Sequence, residues 1–296
     1  MILHKGELEI NERIVKILIN EQFPGFNNLL IKQIPSIGTV NVLFKLGDEY
    51  IIRLPRLKEW EESILKERTI LSYLAPFLTI RIPEPVASGN PTSLYPAKWA
   101  IYRWIEGDIF ENSKKVNEYE LARDLANFIM ELHSIGLLPD APRAGRKPLK
   151  ELNDVTYTAI NAIKTEINHI KTIEIWKKLL QTPVWDNKPV WIHADLLKAN
   201  ILINSGRLNA IIDFGSAGTG DPAFDIIPAW TILKSGSREL FRELLDVDDN
   251  TWRRASGYAL HQALLIIPYY QKTNPMFVRQ ALETINEIIN DKTIRN

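Results

Sequence analysis

Ile10, Ile14, Ile17 and Leu18 recur at helical spacing and predict an amphipathic first helix. From Leu29 to Pro55 the pattern changes. "LLIKQIP", "VNVLFKL" and "YIIRLP" are short and rich in β-branched residues, and Gly47-Asp48 supplies a hairpin turn between the second and third. "LKEWEESILKERTILSYLA" returns to roughly helical spacing through Ile64, Leu65, Leu71 and Leu74. "IRIPEPVASG" and "KWAIYRWIEGD" then read as two more strands. Beyond Gly107 the chain is mainly helical, with helices predicted over 117–134, 149–169, 222–233, 236–245, 249–267 and 275–291. Two short strand-like pieces, "NILIN" and "LNAIIDF", interrupt them around a Ser205-Gly206 turn.

The pattern predicts an α+β fold in two parts. Residues 1–105 form a small antiparallel sheet with one helix inserted, and residues 106–296 form a mainly helical part. The boundary near "WIEGD" is short, which fits two lobes on a tight hinge better than two independent domains. No internal repeat, low-complexity segment or long linker is present, and "PDAPRAGRKPL" at 139–149 reads as a surface loop.

Composition narrows the class. The 296 residues carry 36 Lys plus Arg and 36 Asp plus Glu, so the formal net charge is zero and a general polyanion binder is disfavoured. Cysteine is absent, which excludes disulfides, thiolate catalysis and thiolate metal sites and suits a reducing compartment. The first residues are too broken by charge for a signal peptide, and no apolar run approaches the about 20 residues of a membrane span. The expectation is a cytoplasmic protein with no membrane or nucleic-acid partner.

Within "WIHADLLKANILINSGRLNAIIDFGSAGTGDP", Asp195 and Asp213 stand beside apolar, strand-like runs. An unpaired carboxylate there costs several kcal/mol by order of magnitude, so each needs a partner. His193, Asp195 and Asn200 follow the pattern H-x-D-x(4)-N, and Asp213-Phe214-Gly215 comes one hairpin later. Phosphoryl transfer uses one aspartate to orient the attacking hydroxyl, with a second carboxylate and an amide oxygen to hold Mg²⁺. A hairpin between the motifs returns Asp213 to Asn200, and magnesium needs few protein ligands beside water and phosphate. The structural alternative makes Asp195 a helix cap, Asp213 a strand end and His193 a core residue. In "GDPAFD", Asp221 is expected to cap the helix that Pro222 opens.

These motifs resemble those of the aminoglycoside phosphotransferase family, small-molecule kinases with a two-lobed protein-kinase-like fold. "HADLLKANILI…AIIDFGSAGTGDPAFDI" is similar to that family's catalytic and metal-binding region, and "GTVNVLFKLGDEYIIRLPR" to its N-terminal lobe. The likeness runs from about residue 30 to 270 and is most specific between Ile192 and Ile226. It implies phosphorylation of a small-molecule hydroxyl by ATP or GTP with Mg²⁺. Asp195 becomes the catalytic aspartate, His193 a residue that orients the catalytic loop, and Asn200 and Asp213 the metal ligands. Lys198 is either a phosphate contact or a solvated lysine, and Asp221 and Asp225 match a largely structural motif.

The nucleotide side departs from the kinase pattern. Such sites grip the α and β phosphates with a lysine on the third strand, positioned by a helix glutamate. Here "EYIIRLPR" offers Arg53 in the best-matching place, with Glu67 as its expected partner and Glu62 as the fallback; the alternative for Arg53 is a solvated strand residue. "SIGTVN" has one glycine, so Ser36, Gly38 and Thr39 either cover phosphates or form a plain hairpin turn. By the same resemblance the Arg103 carbonyl and the Ile105 amide meet the base, with Tyr102 beside it.

The acceptor is open among several chemistries. A polycationic aminoglycoside needs carboxylates, for which Asp246, Asp248, Asp249, Glu239 and Glu243 are candidates, although a solvated helix end and its N-cap explain them better. A choline-type acceptor needs an aromatic cage and a macrolide an apolar groove. Trp230, Trp252, Tyr258, Tyr269 and Tyr270 could line either, or could be core. A homoserine or sugar kinase, and a non-catalytic nucleotide-binding module, complete the alternatives. His133 and His261 lie among apolar neighbours in helical stretches and are expected to be hydrogen-bonded core residues rather than metal ligands.

Overall fold

The protein is described by a computed structural model covering residues 6–35, 40–113 and 116–295. In chain order the first elements are α1 (Glu12–Gln22), β1 (Ile31–Ile34), β2 (Asn41–Leu46), β3 (Tyr50–Pro55), α2 (Glu61–Leu74), β4 (Pro85–Gly89), β5 (Trp99–Arg103) and β6 (Asp108–Ile109). Next come α3 (Glu118–Ser134), α4 (Asn153–Ala162), α5 (His169–Leu179), β7 (Val190–Ile192), β8 (Ile201–Asn204), β9 (Arg207–Ile211) and β10 (Gly218–Gly220). The chain ends with α6 (Pro228–Thr231), α7 (Ser235–Leu245), α8 (Asp249–Tyr270), α9 (Pro275–Asn290) and α10 (Lys292–Arg295). Together they form two compact units, Met1–Ser113 with Ala199–Ser216 and Lys114–Lys198 with Ala217–Asn296.

The first unit is built on an antiparallel five-stranded sheet of order β1-β2-β3-β5-β4. Strand alternation sorts its residues. Val42, Phe44, Leu46, Ile52, Leu54, Trp99 and Ile101 point to one face and form a core with Val15, Leu18 and Ile19 of α1. Asn11 caps α1 by accepting the Ile14 N–H at 3.0 Å. Arg53 and Tyr102 alternate with those core residues and so belong to the opposite face. The β8–β9 hairpin pairs through Ile201↔Ile211, and β8 also pairs with β6.

The second unit is helical apart from one antiparallel strand pair, β7 with β10. Asn117 caps α3, and Asp248 caps α8 by accepting the Asn250 and Thr251 N–H groups. Asp221 accepts the Ala223 N–H at 3.0 Å, as the Asp-Pro pair predicts. Three boundaries differ from the sequence pattern. The helix expected over 149–169 is a 3₁₀ turn (Leu149–Leu152) followed by α4, and α5 then starts afresh at Asn168, whose side chain accepts the Lys171 N–H. The stretch 222–233 divides into a 3₁₀ turn (Pro222–Ile226) and α6 at Pro228, where the missing N–H suits a new first turn. In contrast α8 continues to Tyr270 with Pro268 inside its last turn.

The segment 139–149 is irregular, as expected, but it is anchored. Thr219 N–H donates to the Pro142 carbonyl at 2.7 Å and Ala144 N–H to the Thr219 carbonyl at 3.0 Å, extending the β7–β10 pair by a parallel bridge. Glycine at 218 permits this approach, because a Cβ there would lie 2.4 Å from the Pro142 carbonyl oxygen. Gly218→Ala is therefore expected to destabilise the chain by about 1–3 kcal/mol, the usual range for overpacking. A fall in the thermal midpoint checks it.

At the carboxyl end Asp291 accepts from Trp230 Nε1 (2.9 Å), Arg238 Nη1 (3.2 Å) and the Thr293 N–H (2.9 Å). Burial alone would raise its pKa, but the hydrogen bonds from Trp230 and Thr293 and the Arg238 charge outweigh it and hold the pKa below the ordinary carboxylate value. A depressed pKa contributes stability that is present above the unfolded carboxylate value, about 3.9, and is lost as pH falls through the folded one. Acid titration of the unfolding midpoint is expected to show this loss, with a shallower acid limb in Asp291→Asn.

Candidate active site

In the first unit four predicted site residues meet around one buried carboxylate. Glu67, on α2 and 1% exposed, receives Arg53 Nη1 at 2.8 Å and the Phe214 N–H at 2.9 Å on Oε1, and the Tyr102 hydroxyl at 3.1 Å on Oε2. Arg53 Nη2 reaches Asp213 Oδ1 at 3.1 Å, so one planar guanidinium bridges two carboxylates. Its charged form is strongly favoured: burial opposes it, but Glu67 and then Asp213 outweigh burial and raise its pKa. Burial and the Glu67 charge raise the Tyr102 pKa, which keeps the phenol protonated as a donor. Glu62 is exposed and does not take part in this cluster.

Asp213 sits just past β9 with φ 66°, a left-handed conformation that costs a non-glycine residue on the order of 1–3 kcal/mol. Bonds on both sides hold it there. Its carboxylate is tied to Arg53, and the next residue's N–H is tied to Glu67. The hairpin ladder also continues one step beyond Ile201↔Ile211, with the Ile212 N–H donating to the Asn200 carbonyl at 2.9 Å. That step pairs Asn200 with Ile212, the residue before Asp213. Among the described residues no group of three His, Asp or Glu forms a metal centre. A half-exposed carboxylate and an amide from the same hairpin are nonetheless the donor types magnesium takes when water and phosphate complete its shell, so the residue types fit.

In the second unit β7 leads into His193-Ala194-Asp195. His193 is fully buried, Asp195 is half-buried and Ala194 has φ 64°. Another buried carboxylate, Asp225, fixes this turn: it accepts the His193 N–H at 3.0 Å on Oδ2 and the Ala194 N–H at 2.9 Å on Oδ1. His193 Nδ1 in turn accepts the Asp195 N–H at 3.2 Å. Asp225 is therefore bound directly to the loop that carries Asp195. Its spacing from Asp221 gave no sign of that role, since both read as one structural motif.

The remaining predicted residues divide into three groups. Ser36, Gly38 and Thr39 lie outside the described residues. The Tyr102 ring is buried under Arg53, whose guanidinium carbon lies 5.5 Å from the ring centroid. The Arg103 side chain is exposed on Glu49 and Tyr50, its N–H donates to the Glu84 carbonyl, and Ile105 follows in the irregular stretch before β6. Lys198 opens the 3₁₀ turn that ends at Asn200. Sequence reading also missed Arg146, at the surface of the anchored 139–149 segment. Partial burial lowers its pKa while the Asp195 charge acts to raise it. His261 is core, bonded through Nδ1 to the Thr156 hydroxyl at 2.8 Å, and burial together with the Arg146 charge pushes its pKa down to about 4.

The model of the phosphotransferase enzyme family matches residues 31–258, most of the chain. Among curated proteins none matches the sequence significantly. Of solved structures, the GDP and kanamycin complex of APH(2")-IIia superposes with a TM-score of 0.70 at 19% identity, covering 93% of this chain and 97% of that one. The streptomycin-ATP-APH(2")-IIa ternary complex gives 0.63 at 19% identity over 97% and 98% of the two chains. Macrolide 2'-phosphotransferase MphH from Brachybacterium faecium gives 0.63 at 19% identity over 91% and 97%. At these identities the likeness is one of fold, an α+β kinase-like fold with an antiparallel-sheet lobe and a helical lobe. No helix among the described residues is long and apolar enough to cross a membrane. With the family model matched over most of its length, the chain belongs to the phosphotransferase enzyme family, the aminoglycoside phosphotransferase family its motifs resemble, and is a small-molecule kinase.

Proposed function

We propose that the chain transfers the γ-phosphate of ATP or GTP to a hydroxyl of a small molecule, with an aminoglycoside-type antibiotic as the first acceptor to consider. The observation that carries this reading is the Arg53 fork on Glu67 and Asp213. It is the arrangement expected if arginine takes the place of the usual lysine, and it counts against a degenerate binding module. Solved relatives with GDP or ATP bound support a nucleotide donor.

In this reading Asp195 orients the acceptor hydroxyl and takes its proton as the bond to phosphorus forms, while His193 orients the loop around it. Arg53, steadied by Glu67, faces the phosphates. Ser36, Gly38 and Thr39 cover them, and the backbone of Arg103 and Ile105 holds the base beside Tyr102. Asp213 and Asn200 would hold magnesium, which when bound would supply positive charge to the phosphates. Residues 1–105 serve the nucleotide and 106–296 the acceptor. A cysteine-free, nucleotide-using enzyme suits the cytoplasm, and antibiotic resistance is then its biological consequence.

One observation favours a macrolide as the second reading. Of the carboxylates that a polycation would need at 246–249, those of Asp248 and Asp249 already have partners. Asp248 caps α8, Asp249 pairs with Arg242, and Asp246 is the left-handed residue that ends α7.

The deciding measurement is nucleoside-diphosphate release from ATP or GTP with Mg²⁺, comparing kanamycin, a macrolide, choline and no acceptor. Acceptor-dependent release that falls by about 10²–10⁴-fold in Asp195→Ala, with nucleotide binding retained, is the expected outcome. Nucleotide binding without release for any acceptor would count against this reading. Asp213→Ala is expected to remove the magnesium-dependent part of nucleotide affinity. An unchanged magnesium dependence in titration calorimetry would take Asp213 out of the metal site.

A further inference from the structure

Arg53 gives both of its terminal nitrogens to carboxylates, and the oxygen it takes from Asp213 is one that a metal ion would otherwise use. Nη2 lies 3.1 Å from Asp213 Oδ1, and Nη1 lies 2.8 Å from Glu67 Oε1. Glu67 Oε1 also accepts the Phe214 N–H at 2.9 Å, so the guanidinium and the backbone beside Asp213 are tied to one atom. Arg53 cannot swing away from Asp213 without leaving Glu67 as well. On its other side Oδ1 faces its own chain, since a Cβ at Gly215 would lie 3.4 Å from it. Oδ2 is in a different position. It has no partner among the described residues, and the Asp213 side chain is 46% exposed.

We propose that this site takes one magnesium ion per nucleotide, where protein kinases hold two, with the Arg53 charge taking over the role of the second. The inference rests on the reading of Asp213 and Asn200 as the magnesium ligands and goes beyond it in fixing the number of ions.

In protein kinases two magnesium ions are held by one aspartate and one asparagine, so few protein donors serve both. That sharing needs both carboxylate oxygens open to cations, because magnesium demands a nearly ideal octahedral shell. Here Oδ1 already faces a fixed positive charge. A dication on the same oxygen would be repelled by the guanidinium and would have to displace it from two carboxylates at once. Oδ2 and the Asn200 amide oxygen are left, which serve one ion when water and phosphate fill the rest of its shell. No group of three His, Asp or Glu among the described residues offers a second ion another seat. The remaining N–H groups of the fork are available to phosphate oxygens, so the arginine still delivers charge to the nucleotide. A lysine would differ. Its compact ammonium, paired with Glu67, would leave both oxygens of Asp213 open.

The test counts metal ions on the full chain with β,γ-imido analogues of ATP and GTP, using manganese as the probe. Electron paramagnetic resonance separates free from bound Mn²⁺, and calorimetry gives the Kd of the analogue. The wild-type chain is expected to hold one Mn²⁺ per bound analogue. Once the analogue is saturated with metal, a further tenfold rise in free Mn²⁺ should change its Kd by less than about twofold. Arg53→Lys is expected to hold two ions, and over the same rise its Kd should fall by up to about tenfold, the mass-action limit for one added ion.

Two ions per complex in the wild-type chain would overturn the proposal, a result that does not depend on how the variant folds or binds. One ion in Arg53→Lys, with the analogue bound, would overturn the role given to Arg53. Asp213→Ala separates this inference from the reading beneath it. Manganese binding with the analogue that is unchanged in Asp213→Ala would bring down the metal site itself, and the inference with it. Two wild-type ions that are lost in Asp213→Ala would leave the metal site standing and remove only the count.

Discussion

A carboxylate removed from water must find donors, and in each unit one buried acid meets that demand with the backbone of a functional loop. Glu67 takes Arg53, Tyr102 and the Phe214 N–H; Asp225 takes the His193 and Ala194 N–H groups and His133. In both cases a non-glycine residue with positive φ stands at the point of attachment, Asp213 at 66° and Ala194 at 64°. The strain of those residues and the desolvation of the acids are offset by the same bonds. Removing either acid would leave donors unpaired and a turn unsupported, and unpaired buried groups are the costly outcome.

This construction explains which parts were legible in the sequence. Periodicity located the five-stranded sheet, α2, α3, α7 and α9, because each carries an apolar face that recurs at its own spacing. The motif around Asp195, Asn200 and Asp213 was legible because its residue types are placed along one short segment. Arg53 and Glu67 could be paired in advance because the kinase-like pattern calls for a third-strand cation with a helix glutamate, and alternation along β3 turns Arg53 away from Ile52. Asp225 and His133 were not legible as a pair, since ninety-two positions separate them and each alone fits an ordinary core residue. The breaks at Ile163 and Pro228 were missed for another reason. Apolar residues continue through them at helical spacing; the Asn168 cap marks the first interruption and Pro228 itself the second.

Arginine at position 53 does more than replace the charge of a lysine. An ammonium is a point charge, whereas the guanidinium presents donors in a rigid fork. Here the two terminal nitrogens go to different carboxylates, so Glu67 on α2 and Asp213 after β9 are held at a fixed separation by one planar group. The Tyr102 ring lies against that plane and its hydroxyl returns to Glu67, closing the arrangement. A lysine could serve either acid but not fix the geometry of both.

The same economy bears on the acceptor. The acidic run at 246–249 was a candidate for binding a polycation, yet two helix ends and an ion pair with Arg242 account for it. Three of the five aromatic candidates are likewise committed, whereas Tyr269 is 70% exposed. Trp230, Trp252 and Tyr258 are at most 3% exposed, and the Tyr258 ring stacks on Phe224 with centroids 4.1 Å apart. A cage for a quaternary amine needs open ring faces, which these three residues do not offer. Arg146, on a segment anchored through Thr219, is a cation whose charge and that of Asp195 act on each other.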